Sequence, residues 1–175
     1  MILLSVGTQF PFPRLVNAVD CWAKEQKNVR VVAQIGAETT TFPHYIEYFD
    51  FMPAGEFEKL QQECDLMVSH AGIGSIMKAI EFKKPIIIMP RLQRMKEHRN
   101  DHQLSSARYL FNFPNVYVAR DEFDLMAMLN GYASLSYVDG IHDNGKVKLR
   151  NNLRQILDAQ PEPSLWARVI NHLRL

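Results

Sequence analysis

Residues able to hold an anion or a sugar gather in three short stretches of this sequence. In His70-Ala71-Gly72-Ile73-Gly74-Ser75, two glycines lie between an apolar β-rich run and a helical pattern. Glycine lets main chain approach a ligand with no Cβ in the way, and a helix amino terminus offers free N–H groups and the positive end of the helix dipole. Phosphate suits such a place, with the Ser75 hydroxyl as a further donor. The same residues also suit a tight strand-to-helix turn capped by Ser75, and composition leaves both readings open. The second stretch, Glu97-His98-Arg99-Asn100-Asp101-His102-Gln103, gathers carboxylates, imidazoles, amides and a guanidinium, all able to pair with sugar hydroxyls or phosphate. Its alternative is that Asn100 or Asp101 caps the helix that follows and the rest is solvated. The third is Gly7-Thr8-Gln9, directly after the first apolar run. His70 either orients the glycine loop by a hydrogen bond or is a buried structural histidine.

Several chemistries are disfavoured. A nicotinamide dinucleotide site wants G-x-G-x-x-G after a first strand, whereas here Met77 holds the third glycine position and the loop follows the fourth run. No GxxxxGK[ST] occurs, which removes the P-loop nucleotidases. His98 and His102 are four apart, but a third metal ligand is not evident and a helix cap would fall between them, so no metal is expected. Cys21 and Cys64 form no CxxC, and both read as buried thiols. Twenty Lys and Arg against nineteen Asp and Glu leave a net charge of +1, so no global field draws nucleic acid, and none is expected as a partner. No apolar run approaches the roughly 20 residues that cross a bilayer, and the first lacks the basic flank and cleavage site of a signal peptide. The expected location is cytoplasmic.

The elements that must position these loops follow from hydrophobic patterning. Short, nearly continuous apolar runs at 2–6, 29–35, 45–51, 66–69, 85–89 and 116–119 predict strands buried on both faces, as in a parallel sheet. Amphipathic spacing predicts helices at 15–24, 56–64, 73–82, 101–111 and 122–131. With 175 residues, 47% of them hydrophobic, this is one doubly wound, Rossmann-like α/β domain over 1–140. Two helices, 147–157 and 165–173, form a carboxy-terminal extension over 141–175. Leu165, Trp166, Val169, Ile170 and Leu173 make an apolar stripe there that packs either on this domain or on a partner. In open α/β sheets ligands bind beyond the carboxyl ends of the strands, where all three polar stretches fall.

Ser5-Val6-Gly7-Thr8-Gln9 with Pro11-Phe12 and Arg14-Leu15-Val16, then Ser69 to Ile76, Lys84-Pro85-Ile86-Ile87, Met89-Pro90-Arg91 and the run 97–103, together resemble one family. The chain is similar to the carboxy-terminal, donor-binding half of GT-B glycosyltransferases of the MurG type. Within that group it most resembles the free-standing PssE-like proteins of bacterial exopolysaccharide and capsule synthesis, and next the small subunit of the eukaryotic dolichol-linked GlcNAc transferase. The resemblance covers about residues 1–130.

It implies a UDP-sugar as donor substrate and no separate cofactor. The pyrophosphate would lie over Gly7, Thr8 and Gln9 and over Gly72, Gly74 and Ser75 with His70 nearby. The base would lie near Met52, and the sugar against His98, Asn100, Asp101 and Gln103. Many relatives carry a ribose-binding Glu where this chain has Lys78, and Glu81 could substitute only in another register. The acceptor half of the GT-B architecture would come from a membrane-anchored, PssD-like subunit, placing the chain at the inner face of the membrane and its product on a lipid-linked acceptor. The implied activity is a UDP-sugar-dependent hexosyl transfer, active with that partner. No general base is assignable, and no DxD occurs. A non-catalytic nucleotide-sugar-binding or regulatory partner is the competing reading.

Overall fold

Every apolar run becomes a parallel strand. The structure, a computed structural model describing residues 1–111 and 113–138, has β1 (Ile2–Ser5), β2 (Val31–Gln34), β3 (Glu47–Phe49), β4 (Leu66–His70), β5 (Ile86–Met89) and β6 (Val116–Val118). They form one sheet in the order β3-β2-β1-β4-β5-β6. The helices are α1 (Pro13–Ala23), α2 (Ala54–Glu63), α3 (Ile73–Glu81), α4 (His102–Leu110) and α5 (Glu122–Asn130). The sequence-predicted doubly wound α/β class is the observed one. The expected terminal helices and the 141–175 extension with its Trp166 stripe lie outside the described residues.

Alternation across the strands sends Ile2, Leu4 and Val6 to one face, where they join Leu15, Val19, Trp22, Leu125 and Leu129 in the core. Leu3, Val32, Met67 and Ile86, at alternate positions, are equally buried. Each such side chain withdrawn from water contributes about 1.5–3 kcal/mol. Pro13 begins α1 with its φ already helical. Asp121 caps α5, its carboxylate accepting the Asp124 N–H at 2.9 Å. Trp22 Nε1 donates to Asn130 Oδ1 at 2.9 Å and ties α1 to α5.

Two expectations need correction. β3 is exposed along its whole length, because it is the sheet edge; it was expected to be buried on both faces. A loop leads into it, held by the buried Asp20 carboxylate, which accepts the N–H groups of His44 (3.0 Å) and Tyr45 (2.7 Å). Cys21 is exposed, since it follows Asn17 by one helical turn on the outer face of α1. Cys64 is buried as expected, and burial pushes its thiol up to about 11.

The chain runs outward from β1 through β2 to β3, then returns to lay β4 on the other side of β1. Ser5 therefore pairs with Ser69, and the loops after β1 and β4 emerge side by side. This is the topological switch point at which open α/β sheets hold ligands.

Candidate functional site

The His70 ring at the end of β4 fills the space between the two glycine loops. A Cβ on Gly72 would stand 2.2 Å from His70 Nε2, and one on Gly7 would stand 2.6 Å from His70 Cε1. Gly7 also has φ +83°, which L side chains adopt at a cost. Both glycines are thus demanded by the imidazole packed between them. Gly74 differs, since a Cβ there meets nothing within 4 Å.

Helix α3 begins at Ile73 with Gly72 as its cap residue, and no side chain caps it. Ser75 is not the cap, the turn reading left open by composition. Its Oγ lies 3.0 Å from Ser69 Oγ, and the Ser69 hydroxyl donates to Ser5 O at 3.0 Å. This relay knits β1, β4 and α3, and it leaves the first-turn N–H groups of α3 without a side-chain acceptor. His70 Nδ1 lies 3.2 Å from Ser69 Oγ. Burial first, and then the charge of Arg91, lower the His70 pKa to about 4, so the imidazole is neutral at pH 7.

Arg91, directly after β5, is 2% exposed. Its guanidinium donates to Val6 O, Phe10 O and Pro11 O, each at 2.6 Å, and stands over the Phe12 ring at 4.7 Å. The loop after β1 is therefore fastened to the loop after β5. Desolvation lowers the Arg91 pKa to about 10, which still leaves it a cation.

The acidic and amide run after β5 is more committed internally than its sequence suggested. Glu97 makes a two-pronged pair with Arg14, at 2.7 and 2.8 Å, and accepts the Leu92 N–H at 2.9 Å. Both side chains of that pair are buried, and Glu122 approaches the same guanidinium at 3.3 Å. Glu97 is thus a structural residue and not a free sugar ligand. Asp101 Oδ1 accepts the Gln93 N–H at 2.9 Å, and Gln103 Oε1 accepts the Arg91 N–H at 3.1 Å. Asn100 Oδ1 lies 3.1 Å from His98 Nδ1 and accepts the His102 N–H at 3.3 Å. The His98 ring meets Phe10 edge-on at 5.7 Å, with Arg99 over the same Phe10 at 5.8 Å. Asp101 precedes α4 but makes no side-chain cap.

The structure accordingly brings Gly7, His70 and Gly72 into contact, joins Ser75 to them through Ser69, and joins Gln103 to the β1 loop through Arg91. Thr8 and Gln9 are exposed beside Gly7. Met52 is buried, its N–H donating to Gln34 Oε1 at 3.0 Å, which anchors the loop between β3 and α2 to the end of β2. Lys78 is paired with Glu58 and with Glu81, each at 3.0 Å. Sequence reasoning gave no role to Arg91, Arg14 or Ser69. For Arg91 a signal existed: a lone cation directly after a fully apolar strand.

Residues 1–112 match the family model described as glycosyltransferase family 28 C-terminal domain. The chain belongs to that family. It is 27% identical over 149 residues to a UDP-N-acetylglucosamine--N-acetylmuramyl-(pentapeptide) pyrophosphoryl-undecaprenol N-acetylglucosamine transferase of Prochlorococcus marinus strain MIT 9215, covering 76% of this chain and 41% of that protein. Against the enzyme of the same description from strain MIT 9312 it is 33% identical over 89 residues, 49% of this chain and 23% of the relative. The chain thus spans less than half the length of these curated relatives. Among solved structures, the glycotransferase of kitacinnamycin superposes with a TM-score of 0.58 at 15% identity, covering 90% of this chain and 39% of the other. ALG13 superposes with a TM-score of 0.58 at 22% identity, covering 85% of this chain and 93% of that one. These likenesses fix the fold of this family 28 domain as the α/β half seen in larger glycosyltransferases. Among the described residues, no helix is long and apolar enough to cross a membrane.

Proposed function

We propose that this family 28 domain is the donor-binding subunit of a two-component glycosyltransferase, which transfers a sugar from a UDP-sugar to a lipid-linked acceptor in exopolysaccharide or capsule synthesis. The observation that carries this reading is the β1/β4 switch point. Gly7 and Gly72 pack on a neutral His70, and beside them α3 opens with no side-chain cap. A diphosphate laid there would accept the first-turn N–H groups of α3 and meet the helix dipole without competition from a nearby carboxylate. Family membership and the likeness to a transferase named for UDP-N-acetylglucosamine support the choice of donor.

In this reading the protein supplies positioning and electrostatics. The uncapped turn and the Ser75 hydroxyl hold the leaving UDP as negative charge develops on it. Asp101 and Gln103 each spend one oxygen on main chain, so Asp101 Oδ2 and Gln103 Nε2 are left to pair with vicinal sugar hydroxyls. Met52 and its loop would lie under the uracil. A membrane-anchored, PssD-like subunit would bring the lipid-linked acceptor and hold this chain at the inner face of the membrane.

Calorimetric titration with UDP, UDP-Glc, UDP-GlcA, UDP-Gal and UDP-GlcNAc tests the donor half of the reading. One site per chain, shared by UDP and strengthened by one sugar, is expected. Absence of UDP binding at millimolar ligand would overturn it. Glycosyl transfer on co-expression with the membrane subunit then tests the enzymatic half. A second reading, a nucleotide-sugar-binding regulator without turnover, is favoured by Lys78. The cation stands where many relatives hold ribose with Glu, and Glu81 is already paired with it. UDP binding with no transfer in the reconstituted pair would select that reading.

A further inference from the structure

Arg91 is the most deeply buried charged side chain among the described residues. None of the hydrogen bonds that its guanidinium makes goes to a carboxylate. Besides Val6 O, Phe10 O and Pro11 O, each at 2.6 Å, it donates only to Glu97 O, at 3.3 Å. The Glu97 carboxylate is engaged by Arg14 instead. Burying a guanidinium is unfavourable unless its donors are met, and here main-chain carbonyls meet them, the three short contacts all from the end of β1 and the loop after it. Such a cation acts in two ways that a neutral strut does not. It holds the negative ends of three carbonyl dipoles toward itself, and it adds positive charge behind the loop in surroundings that screen it less than water.

We propose that Arg91 is a positioning residue for the donor site: its guanidinium clamps the carbonyls of Val6, Phe10 and Pro11, and so holds Gly7-Thr8-Gln9 in the shape that receives a nucleoside diphosphate. This role rests on the donor-site reading above. The planar fork of guanidinium donors matches several carbonyls at once, which an ammonium does not. The strand β1 is fixed by its pairing with β2 and β4, so the clamp acts on the loop that follows it.

The test measures the UDP dissociation constant of the full chain and its Arg91→Lys, Arg91→Met and Asn130→Ala variants, each at a temperature where it is folded. Asn130→Ala removes the bond from Trp22 on the α1/α5 side and serves as a destabilised control. Arg91→Lys is expected to weaken UDP binding at least tenfold and Arg91→Met further, while Asn130→Ala stays within twofold of the parent. In Arg91→Met the His70 resonance should also titrate at higher pH, because the cation that helps keep it neutral is gone. Arg91 variants that bind UDP within twofold of the parent overturn the role, as does an equal loss in Asn130→Ala. If the variants do not fold, the parent decides. Saturation with UDP should shift the Arg91 Nη–H resonances and slow their exchange, leaving those of the exposed, Glu47-paired Arg30 unmoved. An indifferent Arg91 signal overturns the role. A parent that binds no UDP refutes the donor reading and this role together, a result distinct from parent and variants binding alike.

Discussion

Placing a methyl on Gly72 should disturb the site through His70. The added Cβ would stand 2.2 Å from His70 Nε2 and 2.9 Å from Cδ2 and Cε1, far inside contact distance. The ring cannot simply step aside, because Gly7 also stands against it and Nδ1 lies 3.2 Å from Ser69 Oγ. Overpacking of this kind costs about 1–3 kcal/mol, which lowers the melting temperature by about 2–12 °C in a chain of this length. Gly74→Ala is the internal control. Its Cβ meets nothing within 4 Å inside a helix, so replacing glycine should add about 0.5–1 kcal/mol. Urea and thermal melts of Gly72→Ala, His70→Ala and the double variant make the test decisive. With the imidazole gone, the alanine at 72 has room, and its further effect should fall below about 0.5 kcal/mol. The cycle should show a coupling of about 1–3 kcal/mol. Additive effects, or a Gly72→Ala melt equal to that of the parent, would refute the packing role assigned to the pair.

Gln103→Ala leaves the Arg91 N–H without its acceptor and should reduce stability by about 1–3 kcal/mol by urea titration; Gln103→Glu, which keeps an acceptor oxygen, should recover most of it. Glu97→Gln breaks a buried pair at the Arg14 guanidinium, for which a loss of about 3–5 kcal/mol is expected in the same assay. His70 is held neutral down to about 4 against an ordinary 6.5. Between those values the unfolded chain binds a proton that the folded chain does not, so stability should fall as pH drops from about 6.5 toward 4, by up to about 1.4 kcal/mol per pH unit. Urea midpoints across that range should show a shallower slope for His70→Asn than for the parent.

The fold was legible because strands buried on both faces read as unbroken apolar runs, and the helices between them carry a single stripe. What failed did so at an edge and on a helix face. The aromatic 45–51 run looks like a central strand, yet Tyr48 and Phe49 face solvent, and only the sheet order reveals it. At the site, the glycines of loops one and four were visible as glycines, but their reason was not. The imidazole that requires Gly7 and Gly72 belongs to another strand end than Gly7, and no spacing rule announces that contact. Glu97 looked like a ligand because its partner, Arg14, lies far away in sequence. Arg91 stood out only as a lone cation after an apolar strand; its role did not, because its acceptors are main-chain oxygens, which every residue has.

The central claim is that UDP lies on the uncapped start of α3 against the loop after β1. A titration of 15N-labelled full chain with UDP, followed by amide resonances, addresses it directly. The amides of Gly7, Thr8 and Gln9 and of Ile73, Gly74 and Ser75 should move together with one dissociation constant, and those of α5 should stay in place. Binding that moves other amides while these six remain fixed, or no movement at all, would contradict the account.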